Sequence, residues 1–147
     1  MENLSQNNNS IFLTDNTTLV PDFEIWNEIN NIRWFFSMDE EKLGKEISNK
    51  YSDHDLVEIK NFAIKKRKLL ESRWLSFLRI LPNEVRKKYD VIPHNNLFRV
   101  TSNIVGFGEV LFNILMNDIA LLKEVAVKDD VCFDYVFDYA IAEKHLK

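Results

Sequence analysis

Residues 95–112 read "NNLFRVTSNIVGFGEVLF", and this stretch opens the most apolar part of the chain. From Ile104 to Val127, 16 of 24 residues are apolar. Val110, Leu111, Phe112, Ile114, Leu115 and Met116 would cover every face of a helix. A helix that is apolar all round belongs inside a bundle. Asn103 is a good N-cap residue for it, because its side chain can accept from a free backbone N–H. Two of the chain's three glycines, Gly106 and Gly108, fall in its first turns. Glycine inside a helix costs roughly 0.5–1 kcal/mol relative to alanine. Their presence therefore implies close approach by a neighbouring helix or by the backbone of a ligand, and packing of the protein's own helices is the commoner case.

Working outward, the flanking segments read as amphipathic helices. Pro21 suits the start of a first helix, with Asp22 and Glu24 in its opening turn. Apolar spacing carries that helix from Phe23 and Trp26 to about Phe36. Ser37 with Glu40 resembles a capping box, opening a charged helical stretch to about residue 50. Ser52 with Asp55 resembles a weaker cap. Leu56, Ile59, Phe62, Ala63, Leu70, Trp74, Phe77 and Leu81 then form one helical stripe. Unbroken, those roughly 30 residues would span about 45 Å, so a break is expected near Lys65–Lys68. Pro82 starts a further helix, and Pro93 disturbs it before Phe98. Asp129 and Asp130 open a last helix, with Cys132, Phe133, Val136, Phe137, Ala140 and Ile141 as its inner face. No β-type alternation and no repeat appears. The fold class is all-α, with amphipathic helices around a central hydrophobic one.

The chain has 147 residues, enough for one domain. Residues 1–20 are rich in Asn, Ser and Thr and read as a polar tail in which only Ile11-Phe12-Leu13 could dock. Residues 21–147 form the helical bundle. Cys132 is the sole cysteine, which excludes an intramolecular disulfide and points to a reducing compartment. The start, MENLSQNNNS, lacks a basic leader region. Glu109 and Asp118 interrupt the apolar segment, which falls short of the ~20 residues a membrane span needs. A cytoplasmic protein without a transmembrane anchor is expected.

Net charge is −4, but residues 60–88 hold ten basic residues and only two acidic ones. That segment is +8, and the remainder is −12. A basic stripe of this kind serves nucleic acid or an acidic partner, or is a solvated helix face balanced by acidic helices nearby. The balanced face is the preferred reading, with no nucleic acid. His54, His94 and His145 sit in no metal-ligand spacing. No HExxH, Walker loop or GxSxG occurs. Cys132 lies on an apolar face and reads as core. Asp134 and Asp138, four apart, read as solvated. No cofactor and no enzymatic activity are expected.

The order of motifs resembles the Bcl-2 family of apoptosis regulators. Leu97-Phe98 followed by Asn103 is similar to the pair that closes the family's helix four and the Asn that opens its central helix. "TLVPDF" (18–23) resembles its N-terminal motif, "LVEIKNFA" (56–63) a degraded third homology motif, and "VCFDYVFDYAIAEKHL" (131–146) its helix six. The short loops look like a divergent viral survival protein. The resemblance implies a Bcl-2-like bundle that inhibits apoptosis by holding the death-motif helix of a pro-apoptotic protein in a hydrophobic groove. It implies residence in the host cytosol, peripheral association with mitochondria, and room for a homodimer. Phe62, Leu70, Trp74, Leu97 and Val110 would line the groove, with Asn103 and Gly106 at its rim. The family's arginine is replaced by Gly106 or Phe107, so Arg67 or Arg99 would supply the ionic partner, and the ligand range would be narrow. Lys60 and Asn61 stand where a killer's Gly-Asp would be. The alternatives are a small helical nucleic-acid-binding or regulatory protein using the 60–88 stripe, and an immunity protein that binds a toxin.

Overall fold

The structure is a computed structural model that describes residues 11–12, 20–125 and 129–146. Every element among the described residues is helical. In chain order they are α1 (Asp22–Ile32), α2 (Trp34–Ser37), α3 (Glu40–Ser48), α4 (Asp53–Ile80) and α5 (Asn83–Tyr89), then α6 (Leu97–Phe107), α7 (Glu109–Asn117) and α8 (Asp134–Lys144). Short 3-10 turns at His94–Asn96 and Ile119–Glu124 lead into α6 and out of α7. The all-α class is therefore as expected.

The spine of the bundle is α4, and it is one uninterrupted helix of 28 residues. The expected break at Lys65–Lys68 does not occur. No Gly or Pro interrupts Asp53–Ile80, and the helix rests along much of its length on α1, α6, α7 and α8. Its length, about 42 Å at 1.5 Å per residue, is supported by neighbours on both halves. Ser52 caps it as expected, accepting from the Asp55 N–H at 3.1 Å. At the other end Arg86 of α5 donates to the carbonyls of Leu78, Arg79 and Leu81. Those are acceptors a helix terminus leaves without partners.

The central hydrophobic helix is not continuous, which corrects the second expectation. It is broken at Gly108, whose φ of +114° belongs to a region that glycine enters freely. A Cβ there would also strike the Asn30 side chain. On the near side, every residue of α6 from Val100 to Gly106 is buried, as a central helix requires. On the far side the chain turns out of the core, and α7 buries only Phe112 and Leu115. Asn103 lies well inside α6 and is not the N-cap.

Three boundaries move. The first helix stops at Ile32 because Arg33 adopts a left-handed conformation, and α2 follows as a single turn. Asp39 caps α3, accepting from the Lys42 N–H at 3.1 Å, in place of Ser37. The last helix opens at Asp134 and not at Asp129–Asp130. Of the polar tail, only Ile11, Phe12 and Val20 lie within the described residues. Phe12 is 7% exposed, and the Ile11 N–H donates to Asp55 Oδ2 at 3.0 Å, so the expected docking point does dock.

Candidate functional site

Most of the residues expected to line a groove are core. Phe62, Leu70, Trp74 and Leu97 are buried. Trp26 packs edge-on against Phe62, with ring centroids 5.2 Å apart. Val110 alone of the five apolar positions is exposed, at 75%. The groove lining expected from sequence is thus not an open surface.

The expected polar rim is also internal. Asn103 is buried, and its amide holds the chain ahead of α8. Its Nδ2 donates to Val131 O at 3.0 Å, and its Oδ1 accepts from the Phe133 N–H at 2.9 Å. Ser102 beside it accepts from the Asp134 N–H at 2.9 Å and donates to Asp134 Oδ1 at 2.7 Å. Glu40, from α3, accepts from the Cys132 N–H at 2.6 Å. The first N–H groups of a helix have no partner inside it, and here side chains from other helices supply them.

Arg67 and Asp134 complete this network. Arg67 Nε donates to Asp134 Oδ2 at 2.8 Å, and its Nη1 reaches Glu71 at 3.2 Å. Burial pulls the Arg67 pKa down, but its hydrogen bond to Asp134 and the charges of Asp134 and Glu71 outweigh this, and the net shift is upward. Asp134 is buried, which corrects its reading as a solvated carboxylate. Its partner stands 67 positions away, beyond the reach of any local pattern. Cys132 is fully buried, and burial raises its thiol pKa. It is core, as read from sequence. Arg99 lies over the Phe98 ring at 4.8 Å.

Gly106 sits where α6 meets Trp34. A Cβ there would lie 2.6 Å from Trp34 Cδ1 and 2.7 Å from Phe133 Cγ. The missing side chain is therefore filled by Trp34, which is fully buried and packs on Phe133 with centroids 5.6 Å apart.

Trp34 leads to the surface that sequence reasoning missed. The single turn α2 is bracketed by two non-glycine residues at positive φ, Arg33 (61°) and Met38 (48°). Such conformations cost of order 1–3 kcal/mol each. The buried Trp34 Nε1 has no hydrogen-bond partner among the described residues, a further cost of about 1–3 kcal/mol. The turn drives Trp34 into the core and leaves Phe35 and Phe36 outside, 51% and 65% exposed. Their rings stack at 4.2 Å, and Phe107 meets Phe35 edge-on at 6.5 Å. The Arg33 guanidinium covers Phe36 at 4.6 Å and forms no ion pair among the described residues. Exposed Val110 follows Phe107 by three residues. The signal was present in "WFF" at 34–36. Residues 100° apart on a helix cannot all face one core.

At roughly 200 Å² per ring, Phe35 and Phe36 together leave about 230 Å² exposed. Covering it would contribute at most about 6 kcal/mol at ~25 cal/mol per Å², before the costs of association. Comparison with known proteins finds no matching family model, curated protein or solved structure.

Proposed function

We propose that this chain is a non-catalytic binding protein that captures an amphipathic helix of a protein partner on the patch formed by Phe35, Phe36 and Phe107. The observation that carries this is the exposed aromatic pair held up by a strained turn. Two left-handed residues and an unpartnered indole N–H are retained to present two rings to solvent. Backbone strain of this kind concentrates at ligand clamps and active sites. A pair of exposed stacked rings rimmed by an arginine is a fitting seat for the apolar face of a helix.

The resemblance to the Bcl-2 family supplies the partner class. The ligand would be the death-motif helix of a pro-apoptotic protein, and the consequence inhibition of apoptosis in the host cytosol, in the manner of a viral survival protein. Such a helix carries an aspartate among its apolar residues. Arg33 is the cation beside the aromatic pair that can meet it; Arg67 is engaged by Asp134 and Glu71, and Arg99 lies over the Phe98 ring. The pairing of Lys60 with Asp138 and of Lys66 with Asp22 favours this reading over nucleic-acid binding by the whole 60–88 stripe.

Calorimetric titration with a panel of death-motif peptides tests the proposal. One or a few peptides are expected to bind, and Phe35→Ala/Phe36→Ala to weaken them at least a hundredfold with little change in melting temperature. Folded protein that binds none of the panel, or a double variant that binds as well as the parent, would refute it.

A further inference from the structure

The basic stripe divides into two halves of different character. Toward the N-terminus of α4 three of its five cations are engaged, and Lys65 and Lys68 are exposed with no ion pair among the described residues. Lys60 pairs with Asp138, Lys66 with Asp22, and Arg67 with Asp134 and Glu71. Toward the corner between α4 and α5 they are not. Arg79, Lys87 and Lys88 have no ion-pair partner among the described residues. Lys123, which pairs with Glu124 at 4.0 Å, stands beside them, 4.4 Å over the Tyr89 ring and 3.4 Å from Lys88 O. Residues 79–91 hold four basic and two acidic residues, a local +2 in a chain of −4.

The same corner exposes aliphatic side chains. Ile80 is 78% exposed and Val91 58%, and Val85 is also exposed. Asn83, Arg86, Lys87 and Asp90 line a recess of about 380 Å³. The recess offers amide, guanidinium and ammonium donors, with one carboxylate among them.

We infer that the α4–α5 corner docks on an anionic phospholipid surface. Charge complementarity and side-chain type together select this occupant. Cations near a negatively charged leaflet are attracted to it, and aliphatic side chains beside them enter the headgroup boundary. A nucleic acid would use exposed rings for stacking, but the rings here, Phe77 and Tyr89, are half-buried and packed edge-on against each other at 5.2 Å. In the recess, the Lys87 ammonium meets a lipid phosphate and Asp90 answers a headgroup ammonium, while Arg86 stays on the carbonyls that end α4. Phosphatidylserine carries both. The surface at residues 79–91 shares no residue with the aromatic patch at 33–36.

Flotation of the protein with phosphatidylserine-containing vesicles, against phosphatidylcholine vesicles, is the experiment. Binding is expected only with the anionic lipid. Each cation near the surface is worth about fivefold in partitioning, so Lys87→Gln/Lys88→Gln is expected to weaken binding about twenty-five-fold. Ile80→Ser should weaken it severalfold, and Lys45→Gln on α3 should have no effect. All four residues are solvent-exposed, and a thermal melt of each variant checks that the fold is unchanged. Equal or absent binding to the two vesicle types overturns the inference. So does anionic-lipid binding that the 87/88 variant leaves unaltered. Tighter binding to single-stranded RNA, unchanged by Ile80→Ser, would assign the corner to nucleic acid instead.

Discussion

Replacing Gly106 by alanine introduces one carbon where the packing has no room. That carbon would stand 2.6 Å from Trp34 Cδ1 and between 2.7 and 2.8 Å from two Phe133 ring atoms. Both rings are fully buried, so neither can swing into solvent. Overpacking of this kind costs typically 1–3 kcal/mol. Alanine recovers about 1 kcal/mol of helix propensity over glycine. Three contacts under 3 Å on buried rings place the overpacking cost at about 2–3 kcal/mol, so the net expectation is a loss of about 1–2 kcal/mol, or roughly 3–6 °C in melting temperature for a domain of this size. Gly106→Val adds bulk with a smaller propensity gain and is expected to cost about 3 kcal/mol. The assay is thermal unfolding by circular dichroism, paired with peptide affinity on the same variant. Because Trp34 anchors the turn that presents Phe35 and Phe36, peptide binding should fall together with stability. A Gly106→Ala protein that melts at or above the parent temperature would refute the close fit of Trp34 against α6.

Two further outcomes are expected from the ion-pair and tyrosine geometry. Arg67→Ala leaves the buried Asp134 carboxylate uncompensated and should cost about 3 kcal/mol or more, whereas Lys60→Ala, at an exposed pair with Asp138, should cost under about 1 kcal/mol; equal losses in denaturant titrations would contradict the difference in burial. Burial, and then the hydrogen bond that Tyr51 donates to Glu28, raise the Tyr51 pKa in the folded state. A raised pKa contributes stability that is complete below the unfolded value near 10 and is lost as pH climbs above it, by up to about 1.4 kcal/mol per pH unit. Melting temperatures from pH 9 upward should therefore decline more steeply for the parent than for Tyr51→Phe, and parallel declines would remove Tyr51 as the cause.

The periodic features of the fold were legible in the sequence, and the features that depend on distant partners were not. Ser52 with Asp55 announced the start of α4 because a cap is local. Leu56 to Leu81 announced its inner face for the same reason. Its continuity is not legible in the same way, because it depends on α1, α6, α7 and α8, which support both halves. The apolar run after Asn103 was read as one helix, although Gly108 marked the turn that divides it. Asn103 reads from sequence as an N-cap or a groove-rim residue, and it bonds Val131 and Phe133, about thirty residues away. Asp134 gave no sign of burial because Arg67 lies on another helix. Of the five apolar residues expected to line a groove, Val110 alone is exposed, and the candidate surface is formed by Phe35, Phe36, Phe107 and Arg33. Three consecutive aromatics held that information, but only the left-handed turn at Arg33 decides which ring goes inside.

The side-chain contacts that open α8 also bear on the order in which the chain acquires structure. Cys132, Phe133 and Asp134 give their N–H groups to Glu40, Asn103 and Ser102, between 30 and 92 positions earlier. Tyr135 and Val136 bond locally to Cys132 O and Phe133 O, but with the three donors before them answered from elsewhere the segment gains little by coiling alone, and an isolated short helix is marginal in water. The acceptors lie on α3 and α6, both of which precede α8 in the chain. The terminal helix is thus assembled onto a template, and its winding and its docking become a single event.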